Sequence, residues 1–510
     1  MNVNQGNFII QKCSRFTVLR NSRSESKVCV RRRMFCRKRR ISRENLAIIG
    51  FVFLVLFALV QYQELSSLNS LRGSQEDVVW KQLSLYPSNL SELFVDLTPD
   101  NKNNVSSYHT QSPKLLIQTA VLSEPYVNQR LTQYNEACRG KEFDIGREPD
   151  RTIQNHFQMS KSHKLIYCSI EKAGTTFWRR VLQVLDSTNL ENPYQIKPLN
   201  VNKKSQSLFR EDLFRMLAKL RTHIVFMFVR NPFKRLLSGY LDKIYTANPF
   251  YWGVLGKEIR VPIKQTTKVV RLDQVAKLSQ TAKPPTKCYH NISFDEFIQY
   301  VIEAESTTFR RRDPHFMAMY DLCKPCQVQY DFIGKMETFK EDFTFMMKTL
   351  NISKFDVNDL EEEAGDDTFI DVATSLEERR DEIVKCISMH EAYLRSWRHM
   401  QIKGLISIDQ NYPYSEKQSQ YLKPMQLIRA MKEAKRKSTS KENRKLQKEG
   451  FFIDIYRTVA FDKLVKLVHI LKSDFDIFKY DAYPQSIFAS NIRERLKYSD
   501  VFNVFRLKKL

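Results

Sequence analysis

Apolar and polar positions divide the chain into unlike segments. From Leu46 to Val60 every residue except Gly50 is apolar, and Arg37-Lys-Arg-Arg40 and Arg43 stand just before the run. Fifteen residues make roughly 22 Å of helix, short for a bilayer core. A run with no polar face behind a basic flank still predicts a signal anchor over residues 46–62. About 45 residues precede it, too many for a cleaved signal peptide. The positive-inside rule puts residues 1–45 in the cytoplasm as a basic tail and the remainder across the membrane. Residues 63–118 are rich in Ser, Asn and Gln with little apolar periodicity, and read as a stem. A folded domain is expected over 119–484, followed by a C-terminal tail over 485–510.

Within that domain, Leu165–Ile170 is a mostly apolar strand. Trp178, Val181, Leu182 and Leu185 follow at i, i+3, i+4 and i+7, one buried helix face, flanked by Arg179 and Arg180. His223–Val229 contains the run Ile-Val-Phe-Met-Phe-Val, as expected of a parallel strand buried on both faces. Asn231-Pro232 reads as N-cap and first turn of a helix through Leu236, Leu237, Tyr240 and Ile244. Tyr330–Gly334 is a third strand. Repeated strand–loop–helix units predict an α/β domain with a central parallel sheet flanked by helices, its ligand at the carboxyl ends of the strands. From about 351 to 450 the pattern loosens into an insertion. Glu361–Asp367 is acidic and Met431–Lys448 is basic and apolar-poor; it reads as solvated helix or flexible chain, or as a loop touching an anionic glycan.

The net charge is +25, and residues 1–43 hold 13 Lys and Arg against one acid. The rest of the chain is therefore also basic, which suits an anionic donor, an anionic polymer acceptor, or both. No nucleic-acid partner is expected. Six cysteines lie beyond the anchor: Cys138, Cys168, Cys288, Cys323, Cys326 and Cys386. In an oxidising compartment an even count permits disulfides. Cys323-Lys-Pro-Cys326 has no second CxxC or CxxH to complete a zinc site, so no metal is expected. Sequons occur at Asn89, Asn104, Asn291 and Asn351, all beyond the anchor.

The candidate chemistry lies at two strand ends. Glu171-Lys-Ala-Gly-Thr-Thr176 follows the first strand and opens a helix, an arrangement that aims backbone N–H groups at a phosphate while Lys172 adds charge. It is not GxxxxGK[ST], and no aspartate is placed to hold Mg²⁺, which argues against a nucleotide kinase or NTPase. At the second strand end, Arg230 and Ser238 can face one anion, with a guanidinium and a hydroxyl.

These segments resemble a family, the Golgi carbohydrate sulfotransferases that include chondroitin and GalNAc 4-O-sulfotransferases and glucuronyl 3-O-sulfotransferases. Cys168–Val181 is similar to the family's loop for the 5′-phosphosulfate of 3′-phosphoadenylyl sulfate (PAPS). Val229–Lys243 is similar to its 3′-phosphate segment. Asp313-Pro-His-Phe316, Cys323-Lys-Pro-Cys326 and Tyr330–Thr338 resemble the next block, and Asp474–Tyr480 the last. The likeness covers roughly Arg130–Leu350 and Phe451–Tyr483, in order. It departs from the family at Glu171 (usually Pro), Asn231 (usually Asp) and Phe316 (usually Trp).

The resemblance implies a P-loop-like sulfotransferase domain behind a type II anchor in the Golgi membrane. It implies PAPS as sulfate donor and no metal. It assigns Lys172, Ala173, Gly174, Thr175 and Thr176 to the 5′-phosphosulfate, and Arg230 and Ser238 to the 3′-phosphate that ATP lacks. Lys172 would also neutralise the leaving oxygen. His315 is the candidate base, since a histidine titrates near neutrality; the competing role is a structural histidine beside Phe316. The implied acceptor is an anionic glycan or proteoglycan, with the GalNAc 4-hydroxyl of chondroitin or dermatan first by family frequency. Alternatives are a glucuronyl 3-O-sulfotransferase and a non-catalytic relative that binds glycan or the spent nucleotide. The family leaves room for a homodimer.

Overall fold

The computed structural model describes residues 113–140, 155–197, 200–201, 207–208, 213–260, 288–307 and 310–489. The expected tail, the anchor over 46–62, Asn89, Asn104 and most of residues 485–510 lie outside the described residues. No described helix is long and apolar enough to cross a membrane.

The elements that position the site are α1 (Pro113–Ser123), α2 (Pro125–Cys138), β1 (Phe157–Ser160), β2 (Leu165–Cys168) and α3 (Thr175–Leu185). Then come α4 (Leu213–Thr222), β3 (Ile224–Val229), α5 (Pro232–Tyr240), α6 (Phe294–Ser306), α7 (Met319–Cys323), β4 (Phe332–Lys335) and α8 (Phe339–Thr349). Beyond residue 350 the described chain has no strand. Its main helices are α9 (Val357–Glu378), α10 (Met389–Ile402), α11 (Pro424–Lys437), α12 (Lys441–Arg457), α13 (Phe461–Ile470) and α14 (Lys472–Phe478).

The sheet order is β1-β2-β3-β4. Strands β2, β3 and β4 are parallel, with Leu165 opposite Ile224 and Phe226 opposite Phe332. β1 runs antiparallel to β2, an edge strand that the sequence pattern does not show. The third strand lies over Phe332–Lys335, two residues later at its start than expected. Every residue of β2 and β3 is buried. Because alternate side chains point to opposite faces, Leu165, Tyr167, Phe226 and Phe228 pack on one side with Trp178 of α3 and Phe343 of α8. Ile166, Cys168, Val225 and Met227 pack on the other with Tyr134 of α2 and Leu322 of α7. The predicted helix face of Trp178, Val181, Leu182 and Leu185 is buried. Its neighbour Arg180 is buried too and paired with Asp367 at 2.7 Å.

Asn231 caps α5 by accepting from Lys234 N at 3.1 Å. The helix does not run evenly to Ile244: Leu241–Tyr245 forms a π-helical turn, which rotates Asp242 and Lys243 off the simple 3.6-residue register. Such turns recur at functional sites.

The expected disulfides are present: Cys138–Cys326, Cys168–Cys323 and Cys288–Cys386. The first two join α2 and the end of β2 to the segment around α7. Closing loops this long is worth about 2–5 kcal/mol apiece.

Of the sequence readings of region 351–450, solvated helix, flexible chain or glycan-touching loop, the structure corrects that of flexible chain. The region is helical and builds its own core from Phe369, Leu376, Trp397, Met400 and Met431. The acidic run lies on α9 and the basic run on α11 and α12, and they pair: Asp366 with Lys432 at 2.7 Å and Lys435 at 3.1 Å, Glu361 with Lys441 at 2.5 Å. Charges that read as solvated separately are partners once the helices pack.

Candidate active site

The loop after β2 is built on two left-handed residues, Lys172 (φ 69°) and Gly174 (φ 82°). Glycine adopts that conformation freely and lysine at a cost, so Lys172 is a strained non-glycine position, the kind that clusters at functional sites. Between them Ala173 is fully buried. The turn is closed by Ala173 N donating to Ile170 O at 3.0 Å. No side chain caps α3, so its first-turn N–H groups are left for an anion. Thr175 Oγ1 donates to Ile170 O, while Thr176 is exposed.

The second segment meets the first. Arg230 Nη1 donates to Lys172 O at 3.0 Å, so the two predicted phosphate grips share a wall. Asn231 N and Tyr480 Oη donate to opposite oxygens of Glu337, at 2.9 and 2.8 Å, beside Arg230. Ser238 lies half-buried two turns along α5; no hydrogen bond among the described residues joins it to Arg230.

Lys172 Nζ lies 2.8 Å from Asp242 Oδ2, and Lys243 Nζ lies 3.1 Å from the same oxygen. Burial pulls the Asp242 carboxyl up, but the two ammonium groups outweigh it and hold it well below the usual range. Burial pushes Lys172 down, partly offset by Asp242. The row continues: Lys243 Nζ sits 5.0 Å from the Tyr251 ring centre, and Tyr251 Oη lies 3.1 Å from His315 Nδ1.

That nitrogen lies 2.7 Å from Asp313 Oδ1, which also accepts from His315 N at 2.9 Å. Burial raises the Asp313 carboxyl, yet the His315 hydrogen bonds and charge bring it below its ordinary value. An Nδ1–H donated to Asp313 leaves the Nε2 lone pair to accept a proton. The ring is 23% exposed, so Nε2 is within reach of solvent or substrate. Phe316 turns the other way, buried against Phe297 at 4.8 Å between ring centres. A side chain at Gly239 would come within 2.7 Å of the Phe316 ring, so that close approach needs glycine.

Buried Arg235 ties the two halves together. Its guanidinium donates to Glu171 O at 2.9 Å in the phosphate loop, and to Pro314 O at 3.0 Å and Met317 O at 2.6 Å around His315. The Glu171 carboxylate turns away from Lys172, 3.7 Å from His156 Nδ1 and 4.0 Å from Arg179 Nη2. An acid beside a phosphate loop is tolerated because it faces the Arg179 guanidinium.

Asp242, Lys243, Asp313 and Arg235 lie inside the motifs but show no role in the sequence. Tyr251, Lys403 and Lys448 lie outside them. Among the described residues no group of three His, Cys, Asp or Glu could hold a metal ion.

A family model described as "Sulfotransferase family" matches residues 155–395. Carbohydrate sulfotransferase 12 of Xenopus laevis is 29% identical over 265 residues, covering 47% of this chain and 61% of that protein. Carbohydrate sulfotransferase 11 of Rattus norvegicus is 26% identical over 247 residues, covering 47% and 65%. Carbohydrate sulfotransferase 9 of Homo sapiens is 30% identical over 194 residues, covering 38% and 40%. The chain thus spans less than two thirds of these relatives' lengths. No solved structure matches. With the ordered motifs and the α/β domain that carries them, these matches show that residues 155–395 form a domain of the sulfotransferase family, similar to that of the carbohydrate sulfotransferases.

Proposed function

We propose that this protein is a PAPS-dependent O-sulfotransferase that sulfates a hydroxyl of a glycan. The observation that carries this reading is the junction of Lys172, Arg230 and the uncapped start of α3. Two cationic grips in contact suit a nucleotide with two separate phosphate groups better than one with a single phosphate chain.

The residues divide the reaction between them. Lys172 and the loop N–H groups neutralise charge on the phosphate oxygen that leaves sulfur. His315 Nε2 accepts the proton of the attacking sugar hydroxyl as the new oxygen–sulfur bond forms and the sulfur–oxygen bond to phosphate breaks. Asp313 holds the ring and stabilises the imidazolium. The acceptor is a glycan hydroxyl, with the GalNAc 4-hydroxyl of chondroitin or dermatan first. Residues 46–62 anchor the protein in the Golgi membrane with the domain in the lumen; three disulfides suit an oxidising compartment.

Full-length protein in detergent, given radiolabelled PAPS and a panel of desulfated glycans, is expected to label at least one glycan, and Lys172→Ala to abolish labelling. Folded protein that binds adenosine 3′,5′-bisphosphate but labels no glycan would favour a non-catalytic relative.

A further inference from the structure

The donor site has a third wall, supplied by the helical insertion. Lys403 caps the C-terminus of helix α10, and Gly404 follows in a left-handed turn (φ 69°). A side chain at Gly404 would lie 2.7 Å from Arg444 O and 3.4 Å from Lys448 Cβ of α12. That contact sets Lys403 and Lys448 side by side. Buried Gln447 latches it, donating to Gln401 O at 2.6 Å and Ile406 O at 3.0 Å and accepting from Ile408 N at 2.8 Å.

The paired helix ends are fastened to the phosphate segments. Glu449 of α12 pairs with Lys234 of α5 at 2.9 Å. Tyr456 Oη donates to Phe233 O at 2.7 Å. Arg395 of α10 donates to Tyr245 O, at the end of the π-helical turn that carries Asp242, at 3.3 Å. Lys403 therefore feels the charges of Lys172 and Asp242, and Lys448 those of Arg230, Lys234 and Glu337. Both lysines are exposed to solvent, so an incoming anion can reach them. Among the described residues no carboxylate lies within ion-pair distance of either ammonium.

We propose that Lys403 and Lys448 bind the nucleotide donor's phosphates, Lys403 beside Lys172 at the 5′ end and Lys448 beside Arg230 at the 3′ end. This rests on the donor reading above. It explains why two lysines with no carboxylate at ion-pair distance are held among other cations: repulsion on that scale is relieved by a strongly anionic ligand. A phosphomonoester carries on the order of two negative charges at neutral pH. The insertion then serves the donor, not the glycan.

The test is calorimetric titration of full-length protein in detergent with adenosine 3′,5′-bisphosphate and with 5′-AMP, which lacks the 3′-phosphate. Lys448→Met is expected to weaken the bisphosphate on the order of tenfold and leave 5′-AMP unchanged; Lys403→Met weakens both to that extent. Lys403→Arg and Lys448→Arg recover most of the affinity. Lys441→Met, the same charge loss on an exposed residue of α12 paired with Glu361, changes neither. Thermal unfolding verifies that each variant is folded.

Wild-type binding that Lys172→Ala and Arg230→Ala weaken but the Lys403 and Lys448 variants do not would overturn this assignment alone. So would variants that bind bisphosphate normally and lose affinity for a chondroitin oligosaccharide. Wild-type protein that binds no bisphosphate would overturn the donor reading and this assignment with it.

Discussion

Asp242 Oδ2 lies 2.8 Å from Lys172 Nζ, so the lysine expected to meet the donor is held by a carboxylate on the π-helical turn after α5. The same oxygen holds Lys243. A phosphate entering the site competes with that carboxylate for Lys172, and repels it.

Asp242→Asn should therefore act in opposite directions on the protein and its complex. Without ligand the variant loses about 1 kcal/mol or less, because the group is partly exposed and screened. The Asp242 contribution is present above the ordinary carboxylate value of 3.8 and is lost as pH falls below it, since the folded value is depressed. Affinity for adenosine 3′,5′-bisphosphate should rise severalfold. Denaturant unfolding and calorimetry measure the two effects; weaker binding in the variant would show that Asp242 orients Lys172 rather than competing for it.

His315→Ala and Asp313→Asn should both suppress sulfate transfer and leave bisphosphate affinity within about threefold of wild type. Loss of a positioned general base costs on the order of 10²–10⁴ in rate. Asp313→Asn should retain more activity than His315→Ala, since it removes the orienting group and not the base. Single-turnover transfer with saturating PAPS gives the comparison. Equal loss of binding and rate would return His315 to a packing role beside Phe316.

Arg235→Met should destabilise the fold strongly and lower activity even where folded protein survives. The guanidinium serves three backbone carbonyls, and each carbonyl left unsatisfied costs about 1–3 kcal/mol. Arg235→Lys should be only a partial remedy, because an ammonium lacks the planar fork that reaches both loops. Urea unfolding of both variants measures this; a loss under about 1 kcal/mol for Arg235→Met would refute the role.

Desolvation by the protein around them, then neighbouring cations, push the solvent-accessible Lys403 and Lys448 down to about 8 each. Asp242 and Glu449 oppose the shifts, and Lys172, Arg230 and Lys234 reinforce them. His399 is pushed to about 3, chiefly by burial, and so stays neutral. A lysine value below 10.5 means that its charge costs stability at low pH, and the cost is relieved as pH rises through about 8. Anion binding has the opposite sign. Bisphosphate affinity should fall as pH rises through about 8, and binding near that pH should take up protons. Titration in buffers of different ionisation enthalpy detects the uptake, which Lys403→Met with Lys448→Met should abolish.

What the sequence by itself determined was local. Uninterrupted apolar runs made Leu165–Cys168 and Ile224–Val229 central strands, because a strand covered on both faces has no polar side to show. The spacing of Trp178, Val181, Leu182 and Leu185 marked a helix face, and Asn231-Pro232 a helix start. The loop from Lys172 to Thr176 and Arg230 were legible because each stands at the end of one of those strands, whereas His315 was singled out only by the family resemblance of Asp313–Phe316.

Tertiary structure alone decided what these residues meet. Asp242 reaches Lys172 across 70 positions, Arg235 joins two loops that contain no arginine signal, and Lys403 and Lys448 come to the phosphate segments from helices that read as solvated. The acidic and basic runs of the insertion look alike whether they face water or each other. Charge pairing of this kind depends on distances between segments far apart in the chain, and local composition and periodicity carry no record of those distances.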